Sequence, residues 1–334
     1  MASQSVWGDV ALKYKIDPET EATSRKFIEH GSPHIHKGTL EQCRQGIVQL
    51  GLISALAPGS FKGSVKDYIV PSEHVSDGIP VSVFTPTSAP PNPVIYLYLH
   101  GGGLAIGCRK AYEHVVQYIA ETSGAIVLNV DYRLLPNEED RFAPFNDSVT
   151  VAKWVLENKE LLGGTIKSKV GIGGDSAGGQ LASCVTNEMQ GFDFQILVYP
   201  VGGVDCSVGS MQEFRDIPAF SGKDMEWLFG FSIPFIPDAE TNPRVNPLAR
   251  TRSNLELSPS TLVITAELDP LRDSGIMFAE KLKKAGVHCE HVPFKGVPHG
   301  FMFEMKSYLT CSKAGYKITT NFMKSYQAAK TSPL

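Results

Sequence analysis

The chain has 334 residues, of which 42% are hydrophobic and 20% charged, and its formal net charge is −4. A chain of this length and composition can bury a core without disulfides or metals to help it fold. The slightly acidic balance gives no electrostatic reason to expect a nucleic-acid partner, and the longest apolar run, Val94 to Leu99, is too short to span a membrane.

The six cysteines are scattered along the chain, without the paired spacing of a zinc or redox motif. The first ten residues have no basic region followed by an apolar run, so the sequence predicts no signal peptide. Both observations favour a cytoplasmic protein with free thiols, with disulfides as the alternative.

Short apolar runs rich in β-branched and aromatic residues predict a series of strands. The first two, Val65 to Val70 and Val81 to Phe84, flank the hairpin signal Asp77-Gly78 and are expected to pair antiparallel at the leading edge of a sheet. The later runs are apolar on both faces, as in strands covered by helices on both sides. They are Val94 to Leu99, Ala125 to Val130, Lys169 to Gly173, Gln195 to Tyr199, Thr261 to Ala266 and Cys289 to Phe294.

Helix-like segments lie between these later strands. Strand alternating with helix predicts an α/β fold, with a mostly parallel eight-stranded sheet and helices on both faces. The helices are expected at Tyr112 to Glu121, Asn146 to Asn158, Ala177 to Met189, Ser274 to Lys284 and Thr310 to Ala329.

Two regions do not fit the alternation. Residues 1–60 have a helical pattern and precede the sheet, and residues 202–258 interrupt it with an apolar and proline-containing insert. A connection of that length is usually functional. We therefore expect residues 1–60 and 202–258 to form a helical cap over a catalytic core made of residues 61–201 and 259–334. The alternative is an ordinary peripheral subdomain.

The segment Gly174-Asp-Ser176-Ala-Gly178 follows a predicted strand and precedes a predicted helix. Small residues on both sides of Ser176 allow a sharp turn that exposes its hydroxyl, and the helix directs backbone N–H groups to the same place. Ser176 is therefore the candidate nucleophile, and a glycine-rich turn with a serine cap is the alternative.

The glycines of His100-Gly-Gly-Gly103 follow another predicted strand and let backbone N–H groups converge on an oxyanion. Together with the N–H of Ala177 they predict a hole with three donors. A phosphate-binding loop is the alternative, but the chain has neither its glycine spacing nor its lysine here. His100 is expected to hold this loop rather than to act as a base.

A serine nucleophile of this kind needs a base and an orienting acid, in the chain order serine, acid, histidine. His299 lies in a Gly/Pro loop after the last predicted strand and is the candidate base. Asp269 lies just past the end of the preceding strand and is the candidate acid. Glu267 and Asp273 are the alternatives, and Asp273 is also a candidate helix cap.

Taken together, the chain resembles the hormone-sensitive-lipase-like family of α/β hydrolases. The resemblance spans roughly residues 65–330 and has the motifs in the family's order. It implies a triad of Ser176, Asp269 and His299, and an oxyanion hole from the N–H groups of Gly102, Gly103 and Ala177. The motifs are His100-Gly-Gly-Gly103, Asp131-Tyr-Arg-Leu-Leu-Pro136, Gly174-Asp-Ser-Ala-Gly-Gly179, Asp269-Pro-Leu-Arg-Asp273 and His299-Gly-Phe301.

The sequence departs from the family pattern at two places. Leu104 stands where an aromatic residue often follows the glycines, which affects substrate preference. Asn137 stands where the family usually has Glu, and an acidic insertion, Glu138-Glu-Asp140, follows it. The second departure puts a structural ion pair in question.

The resemblance and the derived residues predict a serine carboxylesterase that acts on small hydrophobic or aryl esters through an acyl-enzyme intermediate. Such chemistry needs no cofactor and no metal. Three alternatives stay open: an amidase or deacetylase with the same machinery, a lyase on the same scaffold, and a non-catalytic small-molecule receptor. The sequence also leaves open whether the chain forms a homodimer.

Overall fold

The computed structural model describes residues 4–56 and 61–327. The predicted segment boundaries at residues 1, 60 and 334, and the last two residues of the predicted helix Thr310 to Ala329, lie outside the described residues.

Within those residues, eight strands form one sheet in the order β1-β2-β4-β3-β5-β6-β7-β8. The first two pair antiparallel as a hairpin, β2 is antiparallel to β4, and the pairs from β4 through to β8 are parallel. The predicted α/β fold with a mostly parallel eight-stranded sheet is confirmed, and so is the antiparallel pair at its edge. The strands are β1 (Gly63–Val70), β2 (Ile79–Pro86), β3 (Ile95–Leu99), β4 (Ile126–Val130), β5 (Val170–Asp175), β6 (Phe194–Val198), β7 (Ser260–Leu268) and β8 (Cys289–Pro298).

Eleven α-helices accompany the sheet in the described part of the chain. They are α1 (Val10–Lys13), α2 (Pro18–Glu29), α3 (Leu40–Ser54), α4 (Arg109–Ser123), α5 (Ala143–Glu157), α6 (Ala177–Glu188), α7 (Gly209–Glu213), α8 (Gly222–Phe229), α9 (Arg252–Leu255), α10 (Arg272–Lys284) and α11 (Leu309–Gln327). Three short 3₁₀ turns occur at Ile35–Lys37, Ile233–Phe235 and Pro247–Ala249. No helix among them combines the length and the apolar character needed to cross a membrane.

The two faces of the sheet are covered by different helices. In β3, every residue is buried, and alternate side chains point to opposite faces. Leu97 and Leu99 belong to a buried apolar cluster that includes side chains of α5, α6 and α10, whereas Tyr96 and Tyr98 belong to a second cluster that includes side chains of α4 and α11. Burial on both sides explains the continuous apolar run that predicted this strand.

The N-terminal segment and the insert contact each other at one end of the sheet. Cys43 of α3 belongs to the same buried apolar cluster as Met225 and Leu228 of α8. Polar contacts join the two segments as well, since the Nδ1 atoms of His34 and His36 lie 2.8 and 2.7 Å from the carboxylate of Asp224. The two regions that interrupted the sequence alternation are therefore neighbours in space.

The acidic insertion supplies an ion pair at the position where the sequence put one in question. The Arg133 guanidinium lies 2.7 Å from the fully buried carboxylate of Asp147 and 3.0 Å from that of Asp140. Asn137 accepts the backbone N–H of Asp140 at 2.9 Å and so holds the insertion in place. The residue that departs from the family pattern thus positions a replacement carboxylate.

Candidate active site

Ser176 stands at a tight turn between β5 and α6. Its φ of 53° and ψ of −120° are a strained conformation for a residue with a side chain, of a kind that costs about 1–3 kcal/mol and that tends to occur at functional sites. The turn needs glycines, because ideal Cβ atoms at Gly174 and Gly178 would lie 2.0 and 1.9 Å from the carbonyl oxygen of Leu99. Close contact with β3 therefore holds the serine at the edge of the sheet.

The candidate nucleophile, base and acid meet at this edge, although they come from three distant parts of the chain. The Oγ of Ser176 lies 3.0 Å from Nε2 of His299, and Nδ1 of His299 lies 2.8 Å from Oδ2 of Asp269. Asp269 is completely buried, and the other two residues are less than a tenth exposed. A continuous line of hydrogen bonds thus runs from the hydroxyl to a buried carboxylate.

The surroundings of Asp269 separate it from the alternative acids. Its Oδ1 accepts the backbone N–H of Leu271 at 2.7 Å, which fixes the carboxylate for His299. The Glu267 carboxylate accepts hydrogen bonds from Nζ of Lys295 and from the N–H of Gly296, at 2.8 and 2.9 Å. Neither Glu267 nor Asp273 has a hydrogen bond to His299.

The prediction that Asp273 caps the following helix is wrong. Helix α10 begins at Arg272, so Asp273 lies inside its first turn, and Leu271 occupies the cap position without a side-chain hydrogen bond. The Asp273 carboxylate instead accepts the N–H of Ser210 at 2.8 Å, next to the start of α7. Asp273 therefore ties the insert to the core.

Two aromatic rings flank the imidazole of His299. The ring centroids of Tyr199 and Phe220 lie 4.7 and 4.8 Å from that of His299. Phe220 belongs to the insert, so the insert touches the candidate base directly. No local sequence pattern predicts this contact, because it depends on how the insert folds back over the sheet.

The glycine loop lies beside Ser176 with an open set of backbone donors. Gly102 and Gly103 have φ angles of 117° and 61°, which side-chain-bearing residues rarely adopt. Among the described residues, none accepts a hydrogen bond from the N–H of Gly102, Gly103 or Ala177. Unused donors beside a nucleophile are what an oxyanion hole requires.

Asp175 joins the glycine loop to the serine turn, a role that the sequence interpretation missed. Its carboxylate accepts the N–H of Gly101 at 3.0 Å and the hydroxyls of Tyr98 and Tyr112 at 2.7 and 3.3 Å. Burial raises the pKa of this carboxyl. Asp175 directly precedes Ser176 in the sequence, but its hydrogen-bond partners lie on other elements, which the local pattern does not reveal.

His100 has the structural role expected of it. Its ring stacks on Tyr132 with a centroid separation of 4.1 Å, and its Nδ1 lies 2.8 Å from the carbonyl oxygen of Gly101. Burial lowers the pKa of His100 to about 4, so the ring stays neutral near pH 7. The imidazole thus supports the loop as a fully buried side chain.

Two adjoining cavities open at the candidate triad. The first, which we call the oxyanion cavity, has a volume of about 140 Å³ and is lined by Ser176, Gly102, Gly103 and apolar side chains such as Leu228. The second, the histidine cavity, has about 180 Å³ and is lined by His299 but by neither Ser176 nor the glycine loop. Leu104 lines neither cavity and is buried in the core.

One cluster beside the histidine cavity has residue types that bind metals. One ligand atom from each of His34, His36 and Asp224 falls within 4.8 Å of the others. Burial raises the pKa of Asp224, but hydrogen bonds from His34, Ser221 and His36 outweigh it and hold the pKa well below its usual range. These hydrogen bonds already account for the arrangement as a contact between the N-terminal segment and the insert.

A serine, an imidazole and a buried carboxylate at the carboxyl edge of a mostly parallel sheet define the class of α/β hydrolases. A family model described as the α/β hydrolase fold matches residues 96–303. The chain belongs to this family, which confirms the resemblance drawn from its motifs.

The most similar relatives include enzymes named for ester cleavage. Carboxylesterase NlhH of Mycobacterium tuberculosis is 33% identical over 229 residues, covering 67% of this chain and 71% of that protein. Ethyl acetate hydrolase of Pseudomonas putida is 31% identical over 234 residues, with the same coverage of 67% and 71%.

Solved structures agree. An esterase of Pyrobaculum calidifontis is 31% identical with a TM-score of 0.77, covering 88% of this chain and 95% of that one. A thermostable Pseudomonas putida esterase, at 23% identity, shares the fold with a TM-score of 0.85, covering 94% of this chain and 98% of that one.

Proposed function

We propose that this protein is a serine carboxylesterase in which Ser176 is the nucleophile, His299 the base and Asp269 the orienting acid. The observation that carries the proposal is the hydrogen-bonded line from Ser176 Oγ through His299 to Asp269, with distances of 3.0 and 2.8 Å. The names of the relatives support ester cleavage as the reaction.

The geometry suits a two-step acyl transfer. His299, with its Nδ1 proton donated to Asp269, accepts the proton of Ser176 on Nε2 as the oxygen attacks the ester carbonyl. His299 then returns that proton to the departing alcohol, and a water activated in the same way releases the acid and restores Ser176. The bond cleaved is the acyl C–O bond, and no cofactor or metal takes part.

The oxyanion that forms at each step would lie among the N–H groups of Gly102, Gly103 and Ala177. Each such donor is typically worth about 3 kcal/mol of transition-state stabilisation. The positive φ of both glycines supports this assignment, because it orients the loop without side chains in the way.

The size and lining of the cavities support small, largely apolar esters as substrates. Both cavities are below about 200 Å³, smaller than the roughly 300 Å³ at which typical small-molecule sites begin. Apolar side chains from the N-terminal segment and the insert, among them Ile35, Leu50 and Phe220, line both.

We propose residues 1–60 and 202–258 as the cap and residues 61–201 and 259–334 as the catalytic core. A cytoplasmic location and a homodimer stay predictions.

The test is the turnover of p-nitrophenyl esters of increasing acyl length by wild type and Ser176→Ala. We expect a preference for short chains and the loss of turnover in the variant, with Ser325→Ala as the matched control because Ser325 is exposed on α11 and lines neither cavity. Turnover that survives Ser176→Ala refutes the nucleophile. Faster cleavage of a matched p-nitroanilide than of the ester would make the enzyme an amidase, and acylation without a released acid would exclude hydrolysis.

A further inference from the structure

Glu304 is a carboxyl group inside the active-site region that the hydrolytic mechanism does not use. It lines both the oxyanion cavity and the histidine cavity, and it also borders an open groove on the surface. It follows His299 by five residues, and its backbone N–H binds the carbonyl oxygen of Gly300. Its Oε1 lies 4.0 Å from the position that a Cβ on Gly300 would occupy, so the carboxyl folds back toward the candidate base.

The other two carboxyl groups that line these cavities already have donors. Asp175 accepts Gly101, Tyr98 and Tyr112, and Asp224 accepts His34, His36 and Ser221. The carboxylate of Glu304 receives no hydrogen bond and forms no ion pair within residues 4–56 and 61–327, although its backbone carbonyl oxygen accepts the N–H groups of Ser307 and Tyr308. A half-buried carboxylate without a donor from the protein is left for water or a bound ligand to hydrogen-bond.

No described basic side chain that shares a cavity with Glu304 pairs with its carboxylate, so this carboxylate is available to a bound ligand. The titratable groups that share its cavities are His34, Asp224, His299, Asp175, Tyr112 and Tyr308, and neither cavity is lined by Lys or Arg. Lys26 and Lys306 border the surface groove, without an ion pair to Glu304. Burial raises the pKa of Glu304 to about 7, which leaves part of the population ionised near neutral pH.

The arrangement of the cavities indicates which part of an ester reaches Glu304. The carbonyl oxygen must face the glycine loop in the oxyanion cavity, and the leaving oxygen must come within reach of Nε2 of His299. His299 lines both cavities, but only the oxyanion cavity is also lined by Ser176 and the glycine loop. We therefore assign the alcohol portion, whose oxygen must face His299, to the histidine cavity. Glu304 lies where the two cavities meet and therefore beside the alcohol portion.

We propose that Glu304 is a specificity-determining residue that selects esters whose alcohol portion carries a hydrogen-bond donor, a protonated amine above all. The donor completes the carboxyl that the fold leaves without a partner, in a setting where a charge-assisted hydrogen bond is strong. This inference rests on the proposed ester hydrolysis and adds to it the chemistry of the alcohol.

A pair of isosteric acetates tests the subsite. 3-(Dimethylamino)propyl acetate carries a protonated amine, and 4-methylpentyl acetate has the same shape without one. At about pH 8, where a carboxyl with a pKa of about 7 is mostly ionised, we expect the ratio of their kcat/KM values to fall about tenfold or more from wild type to Glu304→Gln. Glu280→Gln, an exposed glutamate on α10, is the control that leaves the ratio unchanged.

Binding to Ser176→Ala gives a second measurement that does not depend on turnover. We expect this variant to bind the amine ester more tightly than its isostere, and the added Glu304→Gln substitution to remove the difference. An unchanged kcat/KM ratio, or an unchanged difference in affinity, overturns the subsite. If the corresponding trimethylammonium ester, which has no N–H, gave the same kcat/KM as the amine ester, the enzyme would recognise charge alone. That result overturns the proposed recognition of a hydrogen-bond donor. Failure of wild type to cleave 4-methylpentyl acetate or the p-nitrophenyl esters would instead refute the esterase function.

Discussion

Arg133 pairs with two carboxylates, Asp147 and Asp140. Removing the counter-ion of buried Asp147 should lower the free energy of unfolding far more than removing the charge of Asp140. Asp147 is fully buried and receives both the guanidinium and the backbone N–H of Arg133, the latter at 2.8 Å. Arg133→Met leaves that carboxylate buried without a counter-ion, which should lower the free energy of unfolding by about 3–5 kcal/mol. Asp140 is nearly a fifth exposed and keeps its hydrogen bond from Asn146. Asp140→Asn should therefore cost only about 1 kcal/mol.

Urea unfolding of the three proteins, followed by circular dichroism at one pH, measures this difference. We expect the midpoints to move in the order wild type, Asp140→Asn, Arg133→Met, with the same dependence on urea. Asp67→Asn is a matched control, because the Asp67 side chain that pairs with Arg109 is 72% exposed. Equal losses for the two variants, or a loss below about 1 kcal/mol for Arg133→Met, would refute the assignment of the buried charge.

Three further predictions concern the site and its pH dependence. Asp269→Asn should lower kcat about 10⁴-fold, because His299 loses its orienting acceptor. In Glu267→Gln, kcat should stay near the wild-type value, because Glu267 binds Lys295 and not His299. Steady-state ester kinetics measure kcat for both variants. Gly178→Ala should lower the free energy of unfolding by about 3 kcal/mol, because its Cβ would collide with the Leu99 carbonyl oxygen. Gly46→Ala in α3 should raise the free energy of unfolding by about 0.5–1 kcal/mol. Thermal unfolding compares the two variants. Burial raises the pKa of Asp140, but hydrogen bonds from Asn146 and Phe142 and the Arg133 charge outweigh it and hold the pKa below its usual value. Its contribution to stability should therefore be present above about pH 4 and lost as the pH falls through the lower folded-state pKa, a loss absent from Asp140→Asn in urea titrations across that range.

Much of this architecture could be predicted because each signal was local. The runs that predicted the strands lie at or within a few residues of the observed ones, since burial on both faces forces a continuous apolar sequence. Ser176, Asp269 and His299 each follow a strand closely. Because the strands are parallel, their carboxyl ends share one edge, and the three side chains meet there.

The parts that could not be predicted depend on contacts between distant segments. Asp273 looked like a helix cap, but its partner, Ser210, comes from the insert. Asn137 looked like the loss of an ion pair, yet the loop path brings Asp140 to Arg133. Glu304 had one local signal, a charge within the apolar run Phe301 to Met305, and only the fold shows that it lies in the cavities.

The most direct test of the central claim is covalent labelling of the nucleophile. A fluorophosphonate probe should add one phosphonyl group per chain, and peptide mapping by mass spectrometry should place it on Ser176. The label should be lost in Ser176→Ala and slowed strongly in His299→Ala, because the serine then lacks its base. A label on another residue, or unchanged labelling of Ser176→Ala, would contradict the account.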